Sequence, residues 1–203
     1  MTWQETIRFF AGCMPREIAQ VLEGQMEDTV REIRLRAGGQ SGLVTSAGSV
    51  ACGSLLSQMQ ISQIAEALCE HALYARSEEQ KQGFVTLRGG HRMGLCGRVI
   101  TQGQTVRALR EISSLCIRVA SQRRGAADGL VPYLLEEGGR VRPALIVGMP
   151  GTGKTTLLRD LCRSLSRTGI HMCVVDERSE IAAMSEGVAQ LDVGPHTDVL
   201  DGC

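Results

Sequence analysis

Aromatic residues are scarce in this chain, since three Phe, two Tyr and one Trp make up 3% of its 203 residues. Proteins that bind single-stranded nucleic acid without sequence preference stack the bases on aromatic side chains. The scarcity argues against such a stacking platform. The formal net charge is zero, so the chain as a whole also lacks the basic footprint of a nucleic-acid-binding protein. Nucleic acid is therefore not the predicted partner.

Long apolar runs are also absent. No stretch approaches the roughly 18 consecutive apolar residues that indicate a transmembrane helix. Residues 1–19 contain no uninterrupted apolar segment of the kind found in a secretory signal peptide. The sequence therefore predicts a cytoplasmic protein without a membrane span. Its hydrophobic content of 43% is sufficient for well-packed cores.

The cysteines and histidines lack metal-ligand or disulfide spacing. There is no C-x-x-C pair, and several cysteines lie inside apolar runs, where a reduced thiol behaves as a small hydrophobic side chain. We interpret the cysteines as reduced and inert, and the four histidines as structural or exposed. The residues concerned are Cys13, Cys52, Cys69, Cys96, Cys116, Cys162, Cys173, Cys203, His71, His91, His171 and His196.

Lysine occurs only twice, at Lys81 and Lys154, against twenty arginines. Lys154 lies in the segment Gly-Met-Pro-Gly-Thr-Gly-Lys-Thr at residues 148–155, which matches the phosphate-loop pattern G-x-x-x-x-G-K-[ST]. The apolar residues 144–147 before it predict a strand. After it, apolar residues at helical spacing predict a helix, with Leu157, Leu158, Leu161, Cys162 and Leu165 on one face. Strand, glycine loop and helix form the context that this motif requires; the alternative is a glycine turn that happens to precede a helix.

This pattern predicts an ATP site. Glycines let the backbone curl so that successive N–H groups converge on an anion at the positive end of the helix. Lys154 is predicted to contact the β- and γ-phosphates and Thr155 to hold Mg²⁺. The predicted nucleotide-binding residues are Gly148, Met149, Pro150, Gly151, Thr152, Gly153, Lys154, Thr155 and Thr156.

An acidic pair, Asp176 and Glu177, follows the next predicted strand, residues 170–175. Ligands bind at the carboxyl ends of the strands in open α/β sheets. We interpret the pair as auxiliary acids near the γ-phosphate or its water, with Asp176 as a second metal ligand and Glu177, together with Lys154, as a catalytic residue. A Walker B role and a simple cluster of acids at a helix start remain alternatives. Walker B is disfavoured because this strand directly follows the phosphate-loop helix.

The pattern changes near residue 122, which predicts an N-terminal α+β domain (1–122), a linker with a short helix (123–139) and a phosphate-loop domain (140–203). In the first domain, strict alternation over Val30–Arg36 predicts a strand. The remaining predicted elements there include a helix over 58–75, a hairpin over 83–100 that turns at Gly89-Gly90, and separate strands over 105–109 and 113–119. The predicted fold class is α/β.

Several segments together resemble the stage III sporulation protein AA family, which is similar to the type II/IV secretion ATPases. They are residues 32–38, 83–98 (GFVTLRGGHRMGLCGR), 112–118, the phosphate loop and 174–181 (VVDERSEI). The resemblance implies an N-terminal α+β domain followed by a RecA-like ATPase domain with a parallel sheet. It also implies that Asp176 and Glu177 form an acidic box distinct from Walker B.

The family further implies a ring of six subunits that associates peripherally with a membrane-embedded channel or secretion apparatus. Its implied role is to energise or assemble a channel between mother cell and forespore. Arginines of the N-terminal domain, with Arg92, Arg98 and Arg118 as first candidates, are implied to reach the nucleotide or a neighbouring subunit. Solvated faces with surface ion pairs, and contacts to nucleic acid, are the alternatives for these arginines.

The predicted function is therefore an ATP-binding motor ATPase of the secretion type. The chain stops at Cys203, before the later strand that would carry Walker B, so we expect an incomplete catalytic half with poor hydrolysis. The alternatives are a non-hydrolysing module whose nucleotide state controls oligomerisation, and a RecA-like nucleic-acid motor. A small-molecule kinase would need an acceptor pocket and lid that the sequence does not indicate.

Overall fold

A computed structural model describes residues 1–26, 29–136 and 138–202. The chain forms two compact units, Met1–Ala120 and Ser121–Cys203. Residue 137 of the predicted linker and short helix (123–139) and the last cysteine, Cys203, lie outside the described residues. The described helices include none that is long and apolar enough to cross a membrane. The mixed α/β class is confirmed.

The first unit is built on a six-stranded sheet in which every neighbouring pair is antiparallel, in the order β3-β2-β1-β6-β5-β4. Its strands are β1 (Val30–Arg36), β2 (Ser41–Thr45), β3 (Gly48–Cys52), β4 (Phe84–Thr86), β5 (Arg92–Gln102) and β6 (Thr105–Arg118). The predicted alternation of β1 is confirmed for Ile33 and Leu35, which are buried. Val30 is buried with them, contrary to strict alternation, because the β1–β2 register shifts between Val30 and Glu32.

Helices cover one face of this sheet. They are α1 (Trp3–Gly12), α2 (Arg16–Glu23), α3 (Gln58–Leu68) and α4 (Ser77–Lys81), with a short 3₁₀ turn at Leu73–Arg76 and another at Arg88–Gly90. The core of the unit contains fully buried residues from both layers, among them Phe10, Ile18, Leu22, Ile61, Ile33, Leu35, Met93 and Ile117. Helix α3 ends earlier than predicted because Glu70 and His71 adopt left-handed backbone angles, with φ of 52° and 63°.

The hairpin over residues 83–100 is confirmed, but the two predicted strands over 105–119 are one strand, β6. A bulge lets it continue through Glu111, which has φ of 51°. Gly97 lies opposite this bulge, where a Cβ atom would lie 2.6 Å from the carbonyl oxygen of Arg110. A glycine at this position permits the close approach of the two backbones.

The second unit is smaller. Helix α6 (Lys154–Arg167) packs on β7 (Met172–Asp176) and β10 (Thr197–Asp201), which pair in parallel. The short pair β8 (Met184–Ser185) and β9 (Val188–Ala189) and the helix α5 (Val131–Leu134) complete it. Its small core includes Ala127, Leu134, Leu161 and Leu165. The segment interpreted as a linker therefore contributes a fully buried residue, Ala127, to this unit.

The predicted strand over residues 144–147 is wrong for the described structure. The segment has no strand hydrogen bonds, and Leu145 and Val147 are 88% and 81% exposed. Apolar composition favours a strand, but a strand also needs a neighbour whose N–H and C=O groups pair with its own. Within residues 138–202 no segment pairs with this one.

Candidate nucleotide site on the phosphate-loop helix

The phosphate loop enters helix α6 without an intervening residue. Gly151 and Gly153 have φ of 79° and 90°, the left-handed region that glycine adopts without steric cost. Gly153 is the N-cap of α6, so Lys154 is its first residue and Thr155 and Thr156 follow in the first turn. The first N–H groups of a helix have no partner within the helix. They lie here beside the turn that the glycines create.

Within the loop, the carbonyl oxygen of Met149 accepts hydrogen bonds from Lys154 Nζ and from Thr152 Oγ1, both at 2.8 Å. A Cβ atom at Gly148 would lie 2.8 Å from Thr152 Oγ1, so the loop closes over a position that admits no side chain. The ammonium group of Lys154 therefore contacts the backbone of the loop itself.

The two predicted acids lie in different environments. Asp176, the last residue of β7, is 3% exposed, whereas Glu177 is exposed. Asp176 Oδ1 accepts the N–H of Glu180, and Oδ2 accepts those of Ile181 and Ala182, each at 2.9 Å. Both carboxylate oxygens thus organise the loop after β7. The metal-ligand role of Asp176 stays a prediction, and this geometry favours a loop-organising role.

Arg159, which the sequence reasoning did not single out, lies one helical turn after Thr155 on α6. Its guanidinium donates to the carbonyl oxygens of Ile181 at 2.6 Å, of Glu180, and of Ser121 at 3.4 Å. Burial lowers the pKa of Arg159, partly offset by the negative charges of Asp176 and Glu180. No sequence pattern identifies this residue, because its acceptors are backbone carbonyl groups far away along the chain.

Asp160 was also missed. It is buried, and its Oδ2 accepts the N–H of Ala127 at 2.9 Å while Oδ1 accepts Arg163 Nε at 2.6 Å. Burial raises the pKa of Asp160, but the hydrogen bonds from Arg163 and Ala127 outweigh it and the pKa is lowered. One signal was present in the sequence: Asp160 follows Leu157 by three residues, so it places a charge at the border of the predicted apolar face.

The three candidate arginines lie in the first unit. Arg92 and Arg118 are register partners on β5 and β6, and the guanidinium of Arg92 lies 3.5 Å from the ring centroid of Phe84. Arg98 forms an ion pair with Glu111 at 3.7 Å. Their predicted contact with nucleotide or with a neighbouring subunit stays a prediction.

No metal-binding cluster of His, Cys, Asp or Glu occurs among residues 1–26, 29–136 and 138–202. The seven cysteines in this part of the chain are all free thiols. Burial raises the pKa of several of these thiols, that of Cys69 to about 12, which favours the protonated thiol over the nucleophilic thiolate.

Comparison with known proteins identifies the family. The sequence model of the family described as "Sporulation stage III, protein AA" matches residues 4–203. The chain belongs to this family. A relative from Bacillus subtilis (strain 168), "Stage III sporulation protein AA", is 40% identical over 204 residues, with 92% of this chain and 66% of the relative covered. The chain thus spans slightly less than two thirds of the length of this relative.

Two solved structures resemble the chain weakly. The Legionella pneumophila ATPase DotB is 10% identical, with a TM-score of 0.46 over 99% of this chain and 51% of that one. The VirB11 ATPase from the Brucella suis type IV secretion system, in complex with sulphate, is 14% identical, with a TM-score of 0.35 over 97% and 64%. Likeness at this level supports no statement about function.

Proposed function

We propose that the chain binds Mg·ATP through residues 148–156 and contributes this site to a motor ATPase that acts in sporulation. One observation carries the proposal: two left-handed glycines lead directly into α6, with Lys154 as the first residue of the helix. Such a loop presents backbone N–H groups and a positive helix end to an anion.

The residues present fit a triphosphate. Gly148 has no side chain, which lets Thr152 Oγ1 lie 2.8 Å from the place a Cβ atom would take, and Gly151 and Gly153 hold the turn in backbone angles that other residues adopt only with strain. Lys154 supplies a positive charge that would offset the negative charge of the β- and γ-phosphates. The Thr155 hydroxyl is the oxygen that would hold Mg²⁺. When bound, Mg·ATP supplies the phosphoanhydride bond whose hydrolysis drives a motor.

Glu177 is the residue that we propose orients water or the γ-phosphate. It follows Asp176 directly, and Asp176 fixes the loop by accepting three backbone N–H groups. The exposed carboxylate of Glu177 therefore begins a loop whose backbone is held in place. In this assignment Asp176 positions the loop, and Thr155 is the principal protein ligand of the metal.

We further propose that the N-terminal α+β domain (1–122) serves ring assembly, with Arg92, Arg98 or Arg118 contacting a neighbouring subunit, and that residues 140–203 bind the nucleotide. The partners in this proposal are other copies of the chain and the proteins of a membrane-embedded channel between mother cell and forespore. Family membership supports the sporulation context. A six-subunit ring and a peripheral, cytoplasmic location at that channel are part of the same proposal.

The hydrogen bonds that Asp176 accepts from the backbone favour a second function, a nucleotide-gated assembly module. Both carboxylate oxygens of Asp176 accept amide hydrogens, and of the predicted pair only Glu177 is exposed. With Asp176 engaged by the backbone, the predicted acidic pair suits a module that binds nucleotide, hydrolyses it slowly and uses the bound state to control oligomerisation.

Calorimetry with Mg·ATP tests the binding site, and the chain offers a matched control. Lys154→Ala removes the loop ammonium, whereas Lys81→Ala removes the other lysine, which pairs with Glu78 in α4. We expect Lys154→Ala to weaken binding about tenfold or more, since charge-assisted contacts are the strong ones, and Lys81→Ala to bind like the unaltered chain. Equal affinity in all three proteins would refute the assignment.

Phosphate release and sedimentation on the same proteins separate the two functions. A motor shows turnover that Lys154→Ala abolishes. A nucleotide-gated module shows Mg·ATP-dependent oligomerisation that Lys154→Ala abolishes, with negligible turnover in every variant.

A further inference from the structure

The loop after β7 is held from both sides by side chains of opposite charge. The peptide group that joins Glu180 and Ile181 donates its N–H to Asp176 Oδ2, and its carbonyl oxygen accepts from Arg159. The next peptide group does the same, with the N–H of Ala182 on Asp176 Oδ2 and the carbonyl oxygen of Ile181 on Arg159 Nε. Two consecutive peptide groups thus lie between one carboxylate and one guanidinium.

This arrangement aligns the peptide dipoles with the charges. Each peptide group carries a dipole with its positive end at the N–H and its negative end at the carbonyl oxygen. The N–H ends face Asp176 and the carbonyl ends face Arg159, so each peptide is stabilised at both ends. The guanidinium provides several donors in a fixed planar geometry, which lets Arg159 serve two adjacent carbonyl groups at once.

The backbone on either side of these peptides supports the same conclusion. Ser179 and Ala183, which flank the held segment, have φ of 49° and 48° although neither is glycine. Left-handed angles at such residues are unfavourable and persist where surrounding contacts fix the chain. The loop therefore adopts one defined path whose fixed points are Asp176 on β7 and Arg159 on α6.

Arg159 also connects this loop to the phosphate loop. It lies four residues after Thr155, on the same face of α6 one turn further along. Its remaining donor, Nη1, contacts the carbonyl oxygen of Ser121, the first residue of the second unit. A single side chain thus joins the phosphate-loop helix, the loop that begins with Glu177 and the entry of the chain into this unit.

We propose that Arg159 is a positioning residue that ties the loop after Asp176 to the phosphate-loop helix, so that nucleotide at Lys154 restrains the segment that carries Glu177. The first part concerns the protein without ligand. The second part, the coupling, rests on the proposed nucleotide binding. The two parts are tested by separate measurements.

Hydrogen–deuterium exchange on peptides that cover residues 177–183 tests both parts. Without nucleotide, Arg159→Gln is expected to speed exchange at Glu180, Ile181 and Ala182 by about tenfold, the effect of losing hydrogen bonds that close the loop. The control is Arg167→Gln, on the same helix, where the exposed guanidinium donates to Asp192 and not to this loop. Unchanged exchange in Arg159→Gln, or equal acceleration in Arg167→Gln, would overturn the first part.

The coupling is read by adding the non-hydrolysable analogue Mg·AMP-PNP. We expect it to slow exchange over residues 180–182 in the unaltered chain and in Arg167→Gln, but not in Arg159→Gln, with analogue affinity within about threefold in all three. A purely structural role predicts no slowing in the unaltered chain, and that result overturns the coupling. Absence of analogue binding in the unaltered chain overturns the proposed function and the coupling together, while the exchange without nucleotide still decides the first part.

Arg159→Lys is the second variant in case Arg159→Gln does not fold. Lysine keeps the positive charge near Asp176 but lacks the planar set of donors. It is expected to preserve the fold by circular dichroism and to show intermediate exchange. Exchange identical to that of the unaltered chain would show that charge alone suffices and would overturn the two-carbonyl geometry as the cause.

Discussion

His91 Nδ1 accepts a hydrogen bond from the backbone N–H of Ala120, the last residue of the first unit, at 2.9 Å. His91 is 1% exposed, and its ring lies 4.8 Å from that of Phe10. Because Nδ1 accepts, the neutral ring carries its proton on Nε2, for which the described residues provide no hydrogen-bond partner. The side chain therefore suits the neutral state and resists a second proton.

This relationship predicts a pH-dependent stability for the first unit. Burial, with a smaller contribution from the N-terminal ammonium, lowers the pKa of His91 to about 4 from an ordinary value near 6.5. As the pH falls from 6.5 to 4 the unfolded chain binds a proton at this position and the folded chain does not. The free energy of unfolding is expected to fall by about 3 kcal/mol over this range, and the His91 contribution is constant above it.

Urea unfolding of the unaltered chain and of His91→Gln between pH 7.5 and 4 checks this expectation. Carboxylates contribute to acid destabilisation in both proteins, so the informative quantity is the difference between the two curves. His71→Gln, which removes an exposed histidine, is the control. Parallel curves for the unaltered chain and His91→Gln would exclude His91 as the titrating group.

Gly153→Ala is predicted to weaken nucleotide binding. The N-cap of α6 has φ of 90°, which alanine adopts only with strain of about 1 kcal/mol or more. Relaxing that strain would turn the first N–H groups of the helix away from the loop, so we expect Mg·ATP affinity to fall about tenfold or more.

Gly169→Ala is the matched control for this change, because Gly169 follows the other end of α6 and also has φ of 90°, with open space where a Cβ would lie. It is expected to lower stability by a similar amount while affinity stays the same. Equal losses of affinity in the two variants, measured by calorimetry, would show that helix stability and not loop geometry controls binding.

Gly194→Ala is predicted to destabilise the second unit by roughly 2 to 4 kcal/mol. A Cβ at Gly194, where φ is 96°, would lie 2.5 Å from Ser166 Cβ and 3.1 Å from the carbonyl oxygen of Arg163. The alanine would therefore push α6 away from the segment that leads into β10. Thermal and urea unfolding measure the change.

Gly187→Ala separates the clash from backbone strain alone. Gly187 has φ of 77° and open space where a Cβ would lie, so its substitution is expected to cost about 1 kcal/mol. If Gly194→Ala proved no more destabilising than Gly187→Ala, the clash of a Cβ at position 194 with α6 would make no contribution to the loss of stability.

The sequence-based predictions were correct where neighbouring residues decide the structure and wrong where contacts between distant segments decide it. The alternation of β1 predicted the buried positions of Ile33 and Leu35, since one face of the sheet meets the helices. The same rule failed at Val30, because a bulge depends on how two strands align. The apolar residues 144–147 indicated a strand, yet pairing partners are a property of the folded chain.

The candidate site also contains features that the sequence predicts and features that it does not. The glycine turn and the helix that follows it could be predicted from the sequence because glycine conformation and helix initiation are decided by immediate neighbours. The roles of Asp176 and Arg159 could not. Both side chains serve the peptide groups around Glu180 and Ile181, and only the packing of α6 near β7 brings those groups within hydrogen-bond distance of Arg159. The sequence by itself determined the glycine turn that leads into α6. The tertiary structure decided which charged side chains hold the neighbouring loop, because hydrogen bonds require atoms within about 3 Å and the order of residues does not specify distances across the fold.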